Sequence, residues 1–289
     1  MESKKRKIPF FFCFEKLSMS PNKVHFLGIN IHNITMSELL KNLKLGGIVF
    51  TPNVDHIMKL HRNKDFYDVY QEADYRVCDS QIIMYVSRFL GTPIQEKISG
   101  SDLFPAFYNY YKNDEKVKIF LLGGFENVAK KAQQKINSKV GRNIVIATYS
   151  PSFGFEKNED ECQKIVELIN SSEATVLAIG MGAPKQELWI SKYRHQLNNI
   201  KTFLAIGATI NFEAGNINRA PKWMTEVGLE WLYRLSCEPK RLWKRYLYDA
   251  IPFLWLVLQQ RFQIYKNPWS AMKQYEMVNL GNDAETKVL

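Results

Sequence analysis

Residues with chemistry to offer fall at the ends of apolar runs in this chain. Thr51 and Asn53 follow Gly47-Ile-Val-Phe50, and Asp79 follows Tyr75-Arg-Val-Cys78. Gly123 and Gly124 close Val117-Lys-Ile-Phe-Leu-Leu122, and Gly180 and Gly182 close Ala174-Thr-Val-Leu-Ala-Ile179. A carboxylate in such a place can take a proton, and a threonine or asparagine can orient a hydroxyl. The glycine turns lead into helices, so each offers backbone N–H groups and the positive end of a helix to an anion. Pro184 suits a helix start, which puts Lys185, Gln186 and Glu187 in the first turn, bordering whatever the amides hold. A Gly-x-Gly turn after a strand is also an ordinary strand-to-helix connection, so the motif alone does not fix a phosphate ligand.

The elements that must position these residues can be read from periodicity and breakers. Strands are expected over residues 24–31, 47–53, 75–79, 117–124, 143–148, 174–180 and 201–207. Helices are expected over 37–43, 54–72, 80–90, from a Ser99 or Ser101 cap to about 111, and over 126–139 and 160–171, with another opening at Pro184. The breaker-rich stretch 150–155 reads as a rim loop. This alternation predicts an α/β fold, a mostly parallel sheet with helices on both faces. In such sheets ligands bind at the carboxyl ends of the strands, so Thr51, Asn53, Asp79 and the glycine turns should share one rim.

Composition bounds the rest. With 46% hydrophobic and 24% charged residues over 289 positions, the chain can build one large α/β domain with an appendage. Cys13, Cys78, Cys162 and Cys237 form no Cys-x-x-Cys pair, and His25, His32, His56, His61 and His195 show no metal-ligand spacing. Neither a disulfide framework nor a metal site is expected, and the histidines read as packing or surface residues. The net charge of +10 calls for an anionic partner. Four units are expected: a flexible extension over 1–22, the α/β core over 23–216, a helical basic and aromatic appendage over 217–268, and a frayed tail over 269–289. The extension carries Lys4-Lys-Arg-Lys7 and Phe10-Phe-Phe-Cys-Phe14, too short an apolar run to span a bilayer. In the appendage, tryptophan and tyrosine interleave with lysine and arginine, a pattern that suits helices lying on an anionic lipid surface and equally suits an appendage packed on the core.

Several blocks in order, Thr51-Pro-Asn53, Asp79, Gly180-Met-Gly-Ala-Pro-Lys-Gln-Glu-Leu-Trp-Ile190, Arg219-Ala-Pro-Lys-Trp223, Gly228-Leu-Glu-Trp-Leu-Tyr-Arg-Leu235 and Glu238-Pro-Lys-Arg-Leu242, resemble the WecG/TagA/CpsF family of bacterial glycosyltransferases, family 26. The resemblance implies a Rossmann-like core and inverting transfer, with no metal or other cofactor, from a UDP-sugar of the N-acetylmannosamine type or a related hexose to a polyprenyl-diphosphate-linked saccharide. The products would be surface polysaccharides such as teichoic acid, capsule or exopolysaccharide. It also implies peripheral attachment to the cytoplasmic face of the plasma membrane, through an appendage that completes the active site.

By the same resemblance Asp79 is the base, Thr51 is a catalytic-site hydroxyl and Gln186 touches the sugar. Asn53, Lys97, Gly123, Gly124, Gly180, Gly182, Lys185, Glu187 and Asn211 are expected to bind substrate, and Arg234, Arg241 and Lys244 to reach the diphosphates. Three positions depart from the family pattern: Ser80 stands where glycine is common, Lys97 where arginine is common, and Asn211 where aspartate is common. Asp79 could alternatively cap the helix that begins near Ser80. A non-catalytic scaffold of a polysaccharide-assembly complex is the main competing reading. A dinucleotide-binding oxidoreductase is weaker because no Gly-x-Gly-x-x-Gly follows the first strand, and nucleic-acid binding rests on charge alone. Self-association is left open.

Overall fold

A computed structural model of the protein describes residues 22–237 and 239–270, without the side chains of Lys222, Arg241, Leu242 and residues 244–247. The N-terminal extension up to residue 21 and the tail beyond residue 270 lie outside it, as do the side chains of the appendage candidates Arg241 and Lys244. The first expected strand is instead a hairpin, β1 (Lys23–Phe26) paired antiparallel with β2 (Ile29–His32). Leu27 and Gly28 both adopt positive φ, 43° and 85°, and a two-residue turn of that hand reverses the chain.

Next come α1 (Met36–Asn42), β3 (Gly47–Phe50), α2 (Val54–Arg62) and α3 (Lys64–Gln71). The helix expected over 54–72 is thus two, because Asn63 is extended (φ −133°, ψ 109°) and its side chain accepts from Phe66 N at 2.9 Å, capping α3. The chain continues through β4 (Tyr75–Arg76), α4 (Gln81–Phe89), α5 (Gly100–Tyr110), β5 (Ile119–Gly123), α6 (Val128–Val140) and β6 (Val145–Tyr149). Ser80 caps α4 and Ser99 caps α5. Then follow α7 (Glu159–Ser171), β7 (Val176–Gly180), α8 (Lys185–Tyr193), β8 (Thr202–Ala205) and α9 (Thr209–Ala214). The appendage supplies α10 (Lys222–Glu226), α11 (Glu230–Cys237) and α12 (Pro239–Arg261).

Six strands form one parallel sheet in the order β4-β3-β8-β7-β5-β6. Its two faces bury separate cores, as the period-2 alternation of a strand requires. Phe50, Phe120, Leu122, Leu177, Ile179 and Phe203 face a core shared with the hairpin, α2, α3, α7 and α8. Val49, Ile119, Leu121, Val176, Ala178 and Leu204 face the other, built with α1, α5, α6 and α9.

The C-terminal half of α12 docks on the first core. Phe253 and Val257 are buried, and the Phe253 ring lies 6.4 Å from that of Phe26. Asp249 is buried and accepts from Arg62 at 2.8 Å. Gln260 spans the hairpin, accepting from Leu27 N at 2.8 Å and donating to His25 O at 3.0 Å. Beyond it, Tyr265 meets His61 at 2.8 Å and Trp269 Nε1 donates to Leu60 O at 2.8 Å. The packed-appendage expectation therefore holds for this half. Its other face is open: Tyr248, Ile251 and Trp255, three and four residues apart, form an exposed apolar stripe. Among the described residues no helix is long and apolar enough to cross a membrane. Phe253→Ala should lower unfolding stability by about 3 kcal/mol, measurable by denaturant titration, because it empties a buried ring site between α12 and the hairpin. A loss below about 0.5 kcal/mol would mean that α12 is not docked there.

Candidate active site

A cleft of about 640 Å³ opens over the carboxyl ends of the strands. Thr51 enters it from the end of β3, Asp79 from the segment after β4, Gly123 and Gly124 from β5, and Gly180 and Gly182 from β7. The expected shared rim is therefore present. The glycines are there first for packing. A Cβ on Gly123 would lie 2.5 Å from Gly180 O, and one on Gly180 would lie 2.6 Å from Gly207 O, so the three central strand ends approach too closely for any side chain. Gly182 and Gly207 differ: each has positive φ, 78° and 54°, with open space where a Cβ would stand.

Asp79 is the most perturbed acid on the cleft wall. The chain after β4 stays tied to β3 and the segment leaving it, with Val77 N donating to Phe50 O at 3.0 Å and Asp79 N to Pro52 O at 2.9 Å, and Asp79 lines the same cleft as Thr51. Asp79 does not cap α4, since Ser80 Oγ accepts from Ile83 N at 3.3 Å. Asp79 is half-buried in the cleft wall, and that burial pushes its pKa up to about 8. The negative charge of Glu230 pushes the same way, and the positive charges of Arg234 and Lys97 oppose it. A carboxyl held in that range can accept a proton near neutral pH and give it up again. Two of its electrostatic neighbours, Glu230 and Arg234, come from α11. Arg234 lines the cleft, bonds Glu230 at 2.6 Å and sits 6.0 Å from the Phe212 ring.

The first turn of α8 divides its three candidates. Lys185 lines the cleft but is ion-paired to Glu156 at 2.5 Å and lies 5.3 Å from the Phe153 ring. Gln186 is in the floor, 3% exposed, with Oε1 accepting from Gly182 N at 3.3 Å and from Gly207 N at 3.1 Å. Those two amides are therefore engaged by protein, and an anion at this turn must find other donors. Glu187 does not line the cleft. It is fully buried under the floor, where burial pushes its pKa up to about 7 and its charge helps hold the Tyr70 phenol well above its usual range.

Asn53 and Asn211 line the cleft, Asn53 also capping α2 by accepting from His56 N at 3.1 Å. Lys97 does not; it lines a neighbouring cleft with Arg219 and Asp102, which pair at 2.6 Å. Sequence reasoning missed His56, a buried residue on the cleft wall whose Nδ1 is 2.8 Å from Tyr70 Oη. It also missed Lys59, which lines the cleft, pairs with Asp55 at 2.8 Å and donates to Ala183 O at 2.9 Å. Their places on α2, one and two turns past the Asn53 cap, were the available signal. The exposed rings of Phe125 and Phe153 flank the mouth, each in a loop following a strand end.

The family profile described as the glycosyl transferase WecG/TagA/CpsF family matches residues 24–267. The chain belongs to this family. It is a glycosyltransferase, and the expected α/β fold and family resemblance both hold. It is similar to the N-acetylglucosaminyldiphosphoundecaprenol N-acetyl-beta-D-mannosaminyltransferase of Bacillus subtilis (strain 168), at 30% identity over 71% of this chain and 76% of that protein. The enzymes of the same name from Bacillus spizizenii and Staphylococcus aureus (strain MRSA252) are 30% and 27% identical, over 70% and 76% of this chain and 75% and 87% of theirs.

The partial burial of Asp79 in this glycosyltransferase has a measurable cost. Because the folded pKa of Asp79 is raised above its usual value of 3.8, the fold binds this proton more tightly than the unfolded chain does. The associated stability is full below that usual value and is lost as pH rises through about 8. Asp79→Asn should therefore melt close to the wild type at about pH 4 and above it at about pH 9. A melting difference that does not change with pH would place Asp79 in solvent.

Proposed function

We propose that this glycosyltransferase moves a sugar from a UDP-sugar to a polyprenyl-diphosphate-linked saccharide, with inversion and without a metal or other cofactor. The relatives' names supply the acceptor chemistry and favour an N-acetylmannosamine-type donor. The observation that carries the reading is the half-buried Asp79 carboxyl, its pKa raised, in the same cleft as Thr51 and Arg234. In an inverting transfer the acceptor hydroxyl attacks the anomeric carbon as its proton leaves, and the bond to the UDP oxygen breaks. Asp79 takes that proton, and Thr51 orients a hydroxyl beside it. Arg234 meets the charge that develops on the departing diphosphate, a task for which a planar guanidinium is suited. Positive charge for the leaving group is assigned in this reading to side chains on the cleft wall, Arg234 first among them.

The three departures from the family pattern take different roles in this reading. Ser80 supports α4 by capping it. Lys97 acts on Asp79 through its charge, from outside the cleft. Asn211 keeps a polar residue on the cleft wall but no charge, which bears on the choice of donor sugar. The exposed stripe of Tyr248, Ile251 and Trp255 supports attachment to the membrane that carries the acceptor, on its cytoplasmic face where the nucleotide sugar is available.

The test is incubation with a panel of UDP-sugars and polyprenyl-diphosphate-linked N-acetylglucosamine in liposomes, following UDP release and product mass. One donor should be transferred, with chelator present, and Asp79→Asn should lower kcat by about 10²- to 10⁴-fold. Transfer by Asp79→Asn at the wild-type rate would remove Asp79 as base, and turnover of no UDP-sugar would overturn the donor class.

A further inference from the structure

The fold does not use Gln186 and Glu187 as two independent polar residues. Gln186 Oε1 receives the N–H of Gly182, at the turn after β7, and the N–H of Gly207, at the turn after β8. Gln186 N in turn donates to Gly182 O at 3.2 Å, so residue and turn hold each other twice. The amide's other end, Nε2, donates to Glu187 Oε1 at 2.9 Å. Only this orientation satisfies the chemistry, because the reverse would set an NH₂ against two N–H donors and a carbonyl against a carboxyl. Glu187 is 0% exposed, and its Oε2 has no hydrogen-bond partner among the described residues. A buried acid with one oxygen unsatisfied is costly to keep for stability alone.

We infer that Glu187 is a positioning residue, which orients the Gln186 amide so that its single carbonyl oxygen ties the Gly182 and Gly207 turns together as one floor. Gly182 and Gly207 are the two glycines of the floor with open space above them, so their spacing shapes the cleft where a ligand would lie. That this ligand is the donor's diphosphate rests on the transferase reading; the hydrogen-bond chain itself does not. Gln186 thereby spends its carbonyl on the protein backbone rather than on a sugar.

The experiment is amide NMR on the full-length protein, comparing wild type, Glu187→Gln, Glu187→Leu and Gln186→Met. Gln186→Met removes the clamp directly, and its Gly182 and Gly207 amide protons should move upfield, while Gly91 and Gly141 at distant helix ends stay in place. Glu187→Leu should reproduce this pattern and raise donor KM about tenfold with a smaller change in kcat. Glu187→Gln, which keeps an acceptor for Gln186 Nε2, should leave the resonances and KM near wild type. Wild-type Gly182 and Gly207 shifts in folded Glu187→Leu would overturn the inference. If Glu187→Leu does not fold, glycine shifts in Glu187→Gln displaced as far as in Gln186→Met would overturn it instead. Because the shifts are read without substrate, they stand or fall separately from the UDP-sugar assignment.

Discussion

The close approach of three parallel strand ends is the constraint on which this molecule depends. Gly123, Gly180 and Gly207 lie where β5, β7 and β8 converge, and a single methyl group on either of the first two would strike the neighbouring carbonyl. With no side chains there, the sheet's carboxyl edge becomes a floor of bare backbone, and the flanking elements can rise around it as walls. β3 and the segment after β4 bring Thr51 and Asp79 to one side, and the loops after β5 and β6 bring Phe125 and Phe153 to the other. A parallel sheet with helices on both faces makes such an edge available, and the chain's order of strands sets which residues meet on it.

Enclosure then does the chemical work. A carboxyl at the edge of an open sheet would titrate near its ordinary value; Asp79 is lifted to about 8, chiefly by burial. The appendage contributes directly, since Glu230 and Arg234 on α11 act on Asp79 with opposite sign. The far end of α12 is fastened to the hairpin and α2 through Phe253, Asp249 and Gln260, so the appendage meets the core both at the cleft and away from it. The basic, aromatic segment that reads in sequence as a lipid-surface candidate is thus also part of the site's electrostatics.

Much of this was legible in the sequence because local rules decided it. Apolar runs ending in glycine or a polar residue mark the strands and the shared rim, and Ser80 and Ser99 mark helix starts by their capping chemistry. The hairpin was hidden because Leu27 adopts a positive φ that its side chain does not advertise. The break at Asn63 was hidden because an asparagine in a helical pattern looks neutral until its side chain is seen capping the next turn. In the site, sequence order could not show that adjacent residues in one helical turn divide: Lys185 to the cleft, Gln186 to the floor, Glu187 beneath it. Nor could it place Lys97 in a neighbouring cleft or His56 on the wall, since both depend on packing between distant segments.

The most direct test of Asp79 as base is the pH dependence of kcat/KM for transfer, in the wild type and in Glu230→Gln. The wild-type rate should rise with pH and level off above an inflection near 8, because the base must be ionised to act. Glu230→Gln removes a negative charge that holds the Asp79 proton on, so its inflection should lie at lower pH. A wild-type profile that is flat from about pH 6 to about pH 9, or an inflection that Glu230→Gln leaves in place, would contradict Asp79 as the group that takes the acceptor's proton.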